Sequence, residues 1–363
     1  MRNTDEILKK VRVPPALIVE PDEPTGWMLP YQTAAAELCK LNRKPVAAHF
    51  TFIEDTRMQA FAIQDDREIV GVYAGMFWLL CRLASRAAGS SVFPVLRGAG
   101  PQERPLSVEK SRETPRTLLK ERQPFNWIIE SASWRENPER QALFHTLLTS
   151  LLRFVTCHEV GHLAHDHGAR KRNGDAGVLP MLVDPIGAMD VKATDAVASQ
   201  AREIIADSFA LDYTIEVLRL ELKQKAGMET AQLLRAKLFP DLESIASFVL
   251  LIAFVYFRVS DRSDWREIPL DRMSHPPAPF RARAVSAAFL ELSGHHGFTR
   301  RIIGDALRRA ESESDALICA ILGTAPNPGW IQSVSTPEHD THFERLRDEV
   351  PRWVNAIDKI DCV

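Results

Sequence analysis

The strongest constraint on this chain lies between Asn137 and Gly168, where an apolar stripe runs directly into a cluster of metal-binding side chains. Leu143, Phe144, Leu147, Leu148, Leu151, Leu152 and Val155 recur at helical spacing, and Asn137-Pro138 supplies a cap followed by proline at the first helical position. Gly168 is the expected stop. A helix with this stripe is a buried one, and burial holds rigid whatever it carries. At its end stands His158-Glu159-Val160-Gly161-His162. On a helix, His158 and His162 lie one turn apart on one face, close enough to hold a single metal ion between them. Glu159 lies about 100° further round, near enough to take a proton from water on that metal, which makes it the candidate general base. This is the spacing of a zinc site. By chance the pattern arises in roughly one chain of this size in a hundred, so its partners must strengthen it. His165 and His167 continue the same helix, with His165 in a crowded position once His158 and His162 share a metal; His145 faces away and is structural.

A catalytic zinc needs a third protein ligand and an open position for water. The best downstream carboxylate is Glu203, inside a helical run from about Thr194 to Lys225, with Asp207 one turn further on. Glu203 would complete the ligand set, and Asp207 would accept a hydrogen bond from the free nitrogen of a ligating histidine, fixing its tautomer. Ala206 and Ala210 are small enough to let this helix come close to the first. The competing reading is an ordinary solvated acidic face. Further on, His275 precedes Pro276 and Pro277, and a residue before proline is pushed out of helical conformation. His275 therefore sits on a stiff loop before a helix that runs to about Leu292. A rigidly placed histidine, together with Arg281, suits stabilisation of an oxyanion.

Taken together these residues resemble the gluzincin metallopeptidases, and within them the branch of HtpX-type and CAAX-prenyl-type proteases and their soluble minimal relatives. The matching positions are His158, Glu159 and His162; Glu203, Ala206 and Asp207; and His275, Pro276 and Arg281. Gln59-Ala60-Phe61-Ala62 through Gly71 to Met76 is similar to that branch's Asn-Ala-Phe-Ala segment and edge strand, with Gln59 where asparagine is usual. In size and site order the chain also resembles phage-exclusion peptidases of the Lit type. The resemblance spans about residues 46 to 292. It implies an α+β, zincin-like metallopeptidase fold, mainly helical with a small mixed β-sheet. It also implies Zn2+ held by His158, His162 and Glu203, and hydrolysis of peptide bonds in a protein or peptide substrate. The membrane spans of the HtpX-type enzymes are missing.

The rest of the chain sets the frame. Val46 to Ile53, Met58 to Ile63 and Arg67 to Tyr73 are β-branched and aromatic runs that read as strands, the last two across an Asp65-Asp66 turn. Arg67 to Tyr73 is the expected edge against which an extended peptide would pair. Tyr31 to Leu41, with Thr33 as cap, and Gly75 to Ala88 read as helices. The first 45 residues form a proline-rich arm and a short helix, 46–300 the peptidase domain, and 301–363 a C-terminal helical extension. Within the domain, 97–136 is an insertion or lid, and Ala169 to Gln200 is an irregular loop.

At 363 residues and 45% apolar, the chain can bury a large core. A net charge of −3 and a pI near 6.4 give no basic field for nucleic acid. Five scattered cysteines without a Cys-x-x-Cys pair point to reduced thiols in a cytoplasmic protein. The charged N-terminus has no signal-peptide core, and Val70 to Cys81 and Ile245 to Phe257 are too short to span a membrane. Two alternatives stay open: a latent defence or toxin-like protease awaiting a trigger or regulatory partner, and a non-catalytic zinc-containing interaction protein.

Overall fold

The computed structural model describes residues 4–20, 22, 26–93, 132, 134–169, 193–223, 229–261, 265–292 and 294–354. Most of the expected insertion at 97–136, and the loop up to residue 192 from Arg170 on, lie outside the described residues.

The N-terminal arm, expected to be irregular, contains helix α1 (Thr4–Lys10). Ile7, Leu8, Val11 and Val13 meet Ile53, Phe61, Ile63, Ile69 and Tyr73 in a small core of their own under the sheet. The arm then runs beside the first strand, with the Leu17 N–H donating to the Phe52 carbonyl at 2.8 Å. Helix α2 (Leu29–Leu38) follows a 3-10 turn at Gly26–Met28, so Pro30 marks its start and Thr33 lies inside it rather than capping it.

The apolar runs that follow form β1 (His49–Ile53), β2 (Ala60–Ile63) and β3 (Ile69–Tyr73), in the order β1-β3-β2. β3 pairs parallel with β1 and antiparallel with β2, giving a mixed sheet. The strand expected at an edge is therefore the central one, and both its sides are occupied. Strand existence follows from local composition, but strand order depends on the connection at 54–59, which crosses over β3 and which no local pattern encodes. The edge away from β1 belongs to β2. The Tyr73 N–H donates to the Gln59 carbonyl at 3.0 Å, so Gln59, Phe61 and Ile63 turn their backbone groups toward β3. Ala60 and Ala62 turn theirs outward. Gly71 pairs with Phe61, whose ring lies across it; a Cβ there would fall 2.2 Å from Phe61 Cζ, so only glycine fits.

Helix α3 (Ala74–Gly89) leads from β3, and helix α4 (Pro138–Ala164) is the predicted motif helix. The Asn137 side chain accepts from the N–H groups of Glu139 and Arg140 at 3.0 and 3.2 Å. Leu143, Phe144, Leu147, Leu148, Leu151, Leu152, Phe154 and Val155 are all at most 3% exposed. At roughly 2 kcal/mol each they outweigh the cost of carrying His158, Glu159 and His162 into the interior. The helix ends at Ala164, earlier than the Gly168 stop, because Asp166 takes a left-handed conformation (φ 54°). Asp tolerates that region, and Lys44 Nζ and Gln64 Nε2 each donate to its carboxylate at 2.7 Å. His165 and His167 are thus off the helix, and the chain folds His167 back beneath His162.

Helices α5 (Ala193–Lys223), α6 (Glu229–Leu238) and α7 (Leu242–Val259) pack against α4. By length and apolarity α7 alone among the described residues could cross a membrane, but its apolar window is 83% buried inside the molecule. Helix α8 (Ala278–Leu292) lies on α5 and α7, α9 (Arg300–Leu322) runs along α7, and α10 (Pro337–Glu349) rests on α5. Cys39, Cys81, Cys157 and Cys319 are free thiols, the first three buried.

Candidate metal centre

Helices α4 and α5 come close where the motif has its glycine. A Cβ on Gly161 would lie 3.1 Å from Phe209 Cβ and 3.2 Å from Ala206 Cα, the approach that the small residues of α5 predict. This closeness puts Glu203 of α5 opposite the two histidines of α4. His158 Nε2 lies 3.3 Å from His162 Nε2 and 3.3 Å from Glu203 Oε2, and His162 Nε2 lies 3.5 Å from Glu203 Oε1. All three side chains are buried and could hold a metal ion.

The electrostatics fit a cation. Burial pushes the Glu203 carboxyl up, but His275, His162 and the hydrogen bond from His158 outweigh it and hold Glu203 well below the usual carboxylate range. Burial would also lower His158, yet Asp207 and Glu203 raise it to about 10. In the metal-free site the positive charge that these carboxylates stabilise is a proton on His158, which a metal ion would have to displace. Among the described residues, the ion-pair partners of Glu203 are imidazoles alone. His162, further from a carboxylate partner of its own, is lowered by burial to about 3 and so stays neutral, as a ligand must be.

Glu159 is 4% exposed, and its Oε2 has no hydrogen-bond partner among the described residues. Burial lifts its carboxyl to about 7, against the pull of His158 and with the repulsion of Glu203. A buried carboxylate oxygen left open beside a cluster of ligands suits a proton acceptor.

Asp207 lies where the sequence places it: its Oδ1 is 2.9 Å from His158 Nδ1, leaving Nε2 to face His162 and Glu203. Arg281 lies differently from expectation. Its Nε and Nη2 donate to the two Asp207 oxygens at 2.8 and 2.6 Å, and its guanidinium carbon stands 4.7 Å from the Phe257 ring centroid. A fully buried Asp207 needs a countercharge, so Arg281 is drawn to it and orients His158 at one remove instead of facing a substrate carbonyl. His275 does reach the site, with Nε2 3.6 Å from Glu203 Oε1 and Nδ1 2.9 Å from Ser274 Oγ. Its side chain is 22% exposed, the one imidazole of the group with a substantial solvent face.

Other contributors are not evident from spacing. Gln200 of α5 donates through Nε2 to the carbonyls of Leu270 and Met273, both at 2.7 Å, and so holds the loop that carries His275. Tyr256 of α7 is close enough to Arg281, Glu159 and Asp207 for their charges to act on it, and burial raises its hydroxyl to about 12. The sequence signal for Tyr256 is weak, since it is one of two hydroxyls, with Ser247, in an otherwise apolar run. No family model matches the chain, and no curated protein and no solved structure matches it either.

Proposed function

We propose that the protein is a zinc-dependent metalloendopeptidase, hydrolysing peptide bonds of a protein substrate. The observation that carries this reading is the buried His158, His162 and Glu203 triangle with Glu159 beside it. Zinc–ligand bonds of about 2.0–2.1 Å at tetrahedral angles require ligand atoms roughly 3.3 Å apart; the two imidazole nitrogens are 3.3 Å apart, and the two Glu203 oxygens divide between them, Oε2 at 3.3 Å from His158 and Oε1 at 3.5 Å from His162. Two imidazoles and a carboxylate suit zinc better than magnesium or calcium, which prefer all-oxygen sites.

His158, His162 and Glu203 would hold the ion. Zinc bound there would supply Lewis acidity and bring the pKa of its water toward about 7. Glu159 accepts the water proton and passes it to the leaving amine, a task matched by a carboxyl lifted to about 7. Asp207 holds the His158 ring through Nδ1, and Arg281 keeps Asp207 ionised. His275, on the exposed side, donates to the substrate oxygen as charge develops on it. An extended peptide would pair with the outward backbone groups of Ala60 and Ala62 on β2, which packs beside α4.

The test compares new protein N-termini in cells expressing the chain or its Glu159→Gln variant, with zinc content measured on both purified proteins. New termini with the intact chain alone, at equal zinc content, are expected. Cleavage that survives in Glu159→Gln would remove the general base, and an intact chain without zinc would remove the centre itself.

A further inference from the structure

We propose that His167 is a positioning residue for the candidate ligand His162; the inference rests on the metal-centre reading above. His162 presents Nε2 to His158 and Glu203, so in the ligating state its proton is on Nδ1. That nitrogen lies 2.9 Å from Nδ1 of His167. Two imidazole nitrogens in contact can share only one proton between them. His162 Nδ1–H therefore donates, His167 Nδ1 accepts, and His167 carries its own proton on Nε2.

The two ligand histidines are thus held through Nδ1 by different partners, His158 by a carboxylate and His162 by a neutral imidazole. His167 is fully buried, stacked on His165 (ring centroids 5.7 Å apart) and edge-on to Trp353 (6.2 Å). Its Nε2 has no hydrogen-bond partner among the described residues. A ring packed on aromatic side chains, near the Arg202 guanidinium that lies over Trp353, and whose one hydrogen bond among the described residues goes to His162, is explained by that bond rather than by space filling. The placement is built with care: the left-handed turn at Asp166, held by Lys44 and Gln64, directs the chain back under the ligand. Removing an outer partner of a metal-bound histidine lowers metal affinity about 10- to 100-fold.

The experiment measures zinc affinity by competition with a chromophoric chelator for the full chain, His167→Phe and His167→Asn, with thermal unfolding of each metal-free protein alongside. The asparagine amide oxygen falls near the place of Nδ1 and can accept the same hydrogen bond. The expected result is a 10- to 100-fold weaker affinity in His167→Phe, recovery of most of it in His167→Asn, and metal-free melting points close to that of the parent. If the phenylalanine variant does not fold, His167→Leu takes its place in the comparison. Equal affinity in the apolar variant, or a loss in His167→Asn as large as in the apolar one, would overturn the assignment while leaving the metal centre standing. A parent chain that takes up no zinc would overturn the centre and this inference with it.

Discussion

Gly161→Ala tests whether the metal centre depends on the close approach of two helices. Two effects oppose each other. Alanine is favoured over glycine in a helix interior by roughly 0.8–1.0 kcal/mol. Its Cβ, however, would stand 3.1 Å from Phe209 Cβ and 3.2 Å from both Ala206 Cα and Phe209 Cγ, where carbon atoms prefer about 3.5–4.0 Å. Ala206 Cα is backbone and cannot rotate away, so α5 must retreat by about 0.3–0.5 Å. Overpacking of this kind costs about 1–3 kcal/mol, and steric strain outweighs propensity for a net destabilisation of about 0–2 kcal/mol. The larger effect is on the site. Glu203 lies one turn before Ala206 on the same helix and moves with it, opening the triangle on one side. Metal–ligand distances hold to within about 0.2 Å, which a shift of about 0.3–0.5 Å exceeds, so zinc affinity should fall about tenfold or more. Urea unfolding of the chelator-treated protein and a zinc competition titration read the two effects separately. A variant that is more stable by about 1 kcal/mol and binds zinc as tightly as the parent would show that the helices do not meet at Gly161.

Glu159→Gln should stabilise the metal-free protein at pH 8 while abolishing cleavage. A carboxyl lifted to about 7 in the folded state favours the unfolded chain once the pH passes its ordinary value, a penalty on the order of 3 kcal/mol above pH 7; equal unfolding midpoints at pH 8 would refute it. Arg281→Met should destabilise by about 3–5 kcal/mol at pH 7, because Asp207 stays buried without its countercharge. Asp207 is held below its ordinary value by Arg281 and His158 against burial. Its contribution is therefore present above about pH 4 and lost as the pH falls further, so parent and variant should converge on acidification; a constant gap in urea midpoints between pH 7 and pH 3 would contradict this. His275→Ala should lower turnover by roughly 10²-fold with zinc content unchanged, and an unaltered rate would return His275 to the loop as an ordinary residue. His342→Leu should lower turnover by about tenfold, again with zinc retained, and an unchanged rate would detach α10 from the site.

The part of the site that could be read from the sequence is the part made by single helices. His158 with His162, and Glu203 with Asp207, are each one turn apart, and a helix fixes that relation whatever surrounds it. Even the meeting of the two helices left a trace in Gly161, Ala206 and Ala210. What could not be read depends on contacts between distant segments. In sequence Arg281 is only a charge that follows His275, and its direction is set by Asp207, 74 residues earlier. The end of α4 is set at Asp166 by Lys44 and Gln64, more than 100 residues upstream. Without those two contacts nothing in the order His-Asp-His announces a turn, and His167 looks like one more residue of the same helix. The sheet is similar: three strands were visible, but the central place of β3 follows from a crossover.

The C-terminal helices extend this point from the fold to the chemistry. Residues 301–363 read as an extension after the peptidase domain, yet α10 reaches the site through one glutamine. Gln200 is three residues before Glu203 on α5 and is fully buried. Its amide nitrogen donates to Leu270 and Met273, while its oxygen lies 2.8 Å from His342 Nε2 of α10. Burial lowers His342 to about 4, so at neutral pH it is an uncharged donor, and its N–H fixes which way the Gln200 amide points. If the amide turned over, its oxygen would face two carbonyls and the loop would lose both hydrogen bonds. The 3.6 Å separation of His275 from Glu203 is therefore maintained by α10 acting through Gln200. The candidate metal ligands on α4 and α5 meet the C-terminal segment differently, through His167, which packs edge-on to Trp353. On the proposed function, ligand placement rests chiefly on the packing of two helices at Gly161 and the placement of His275 on the docking of a helix more than 130 residues further on.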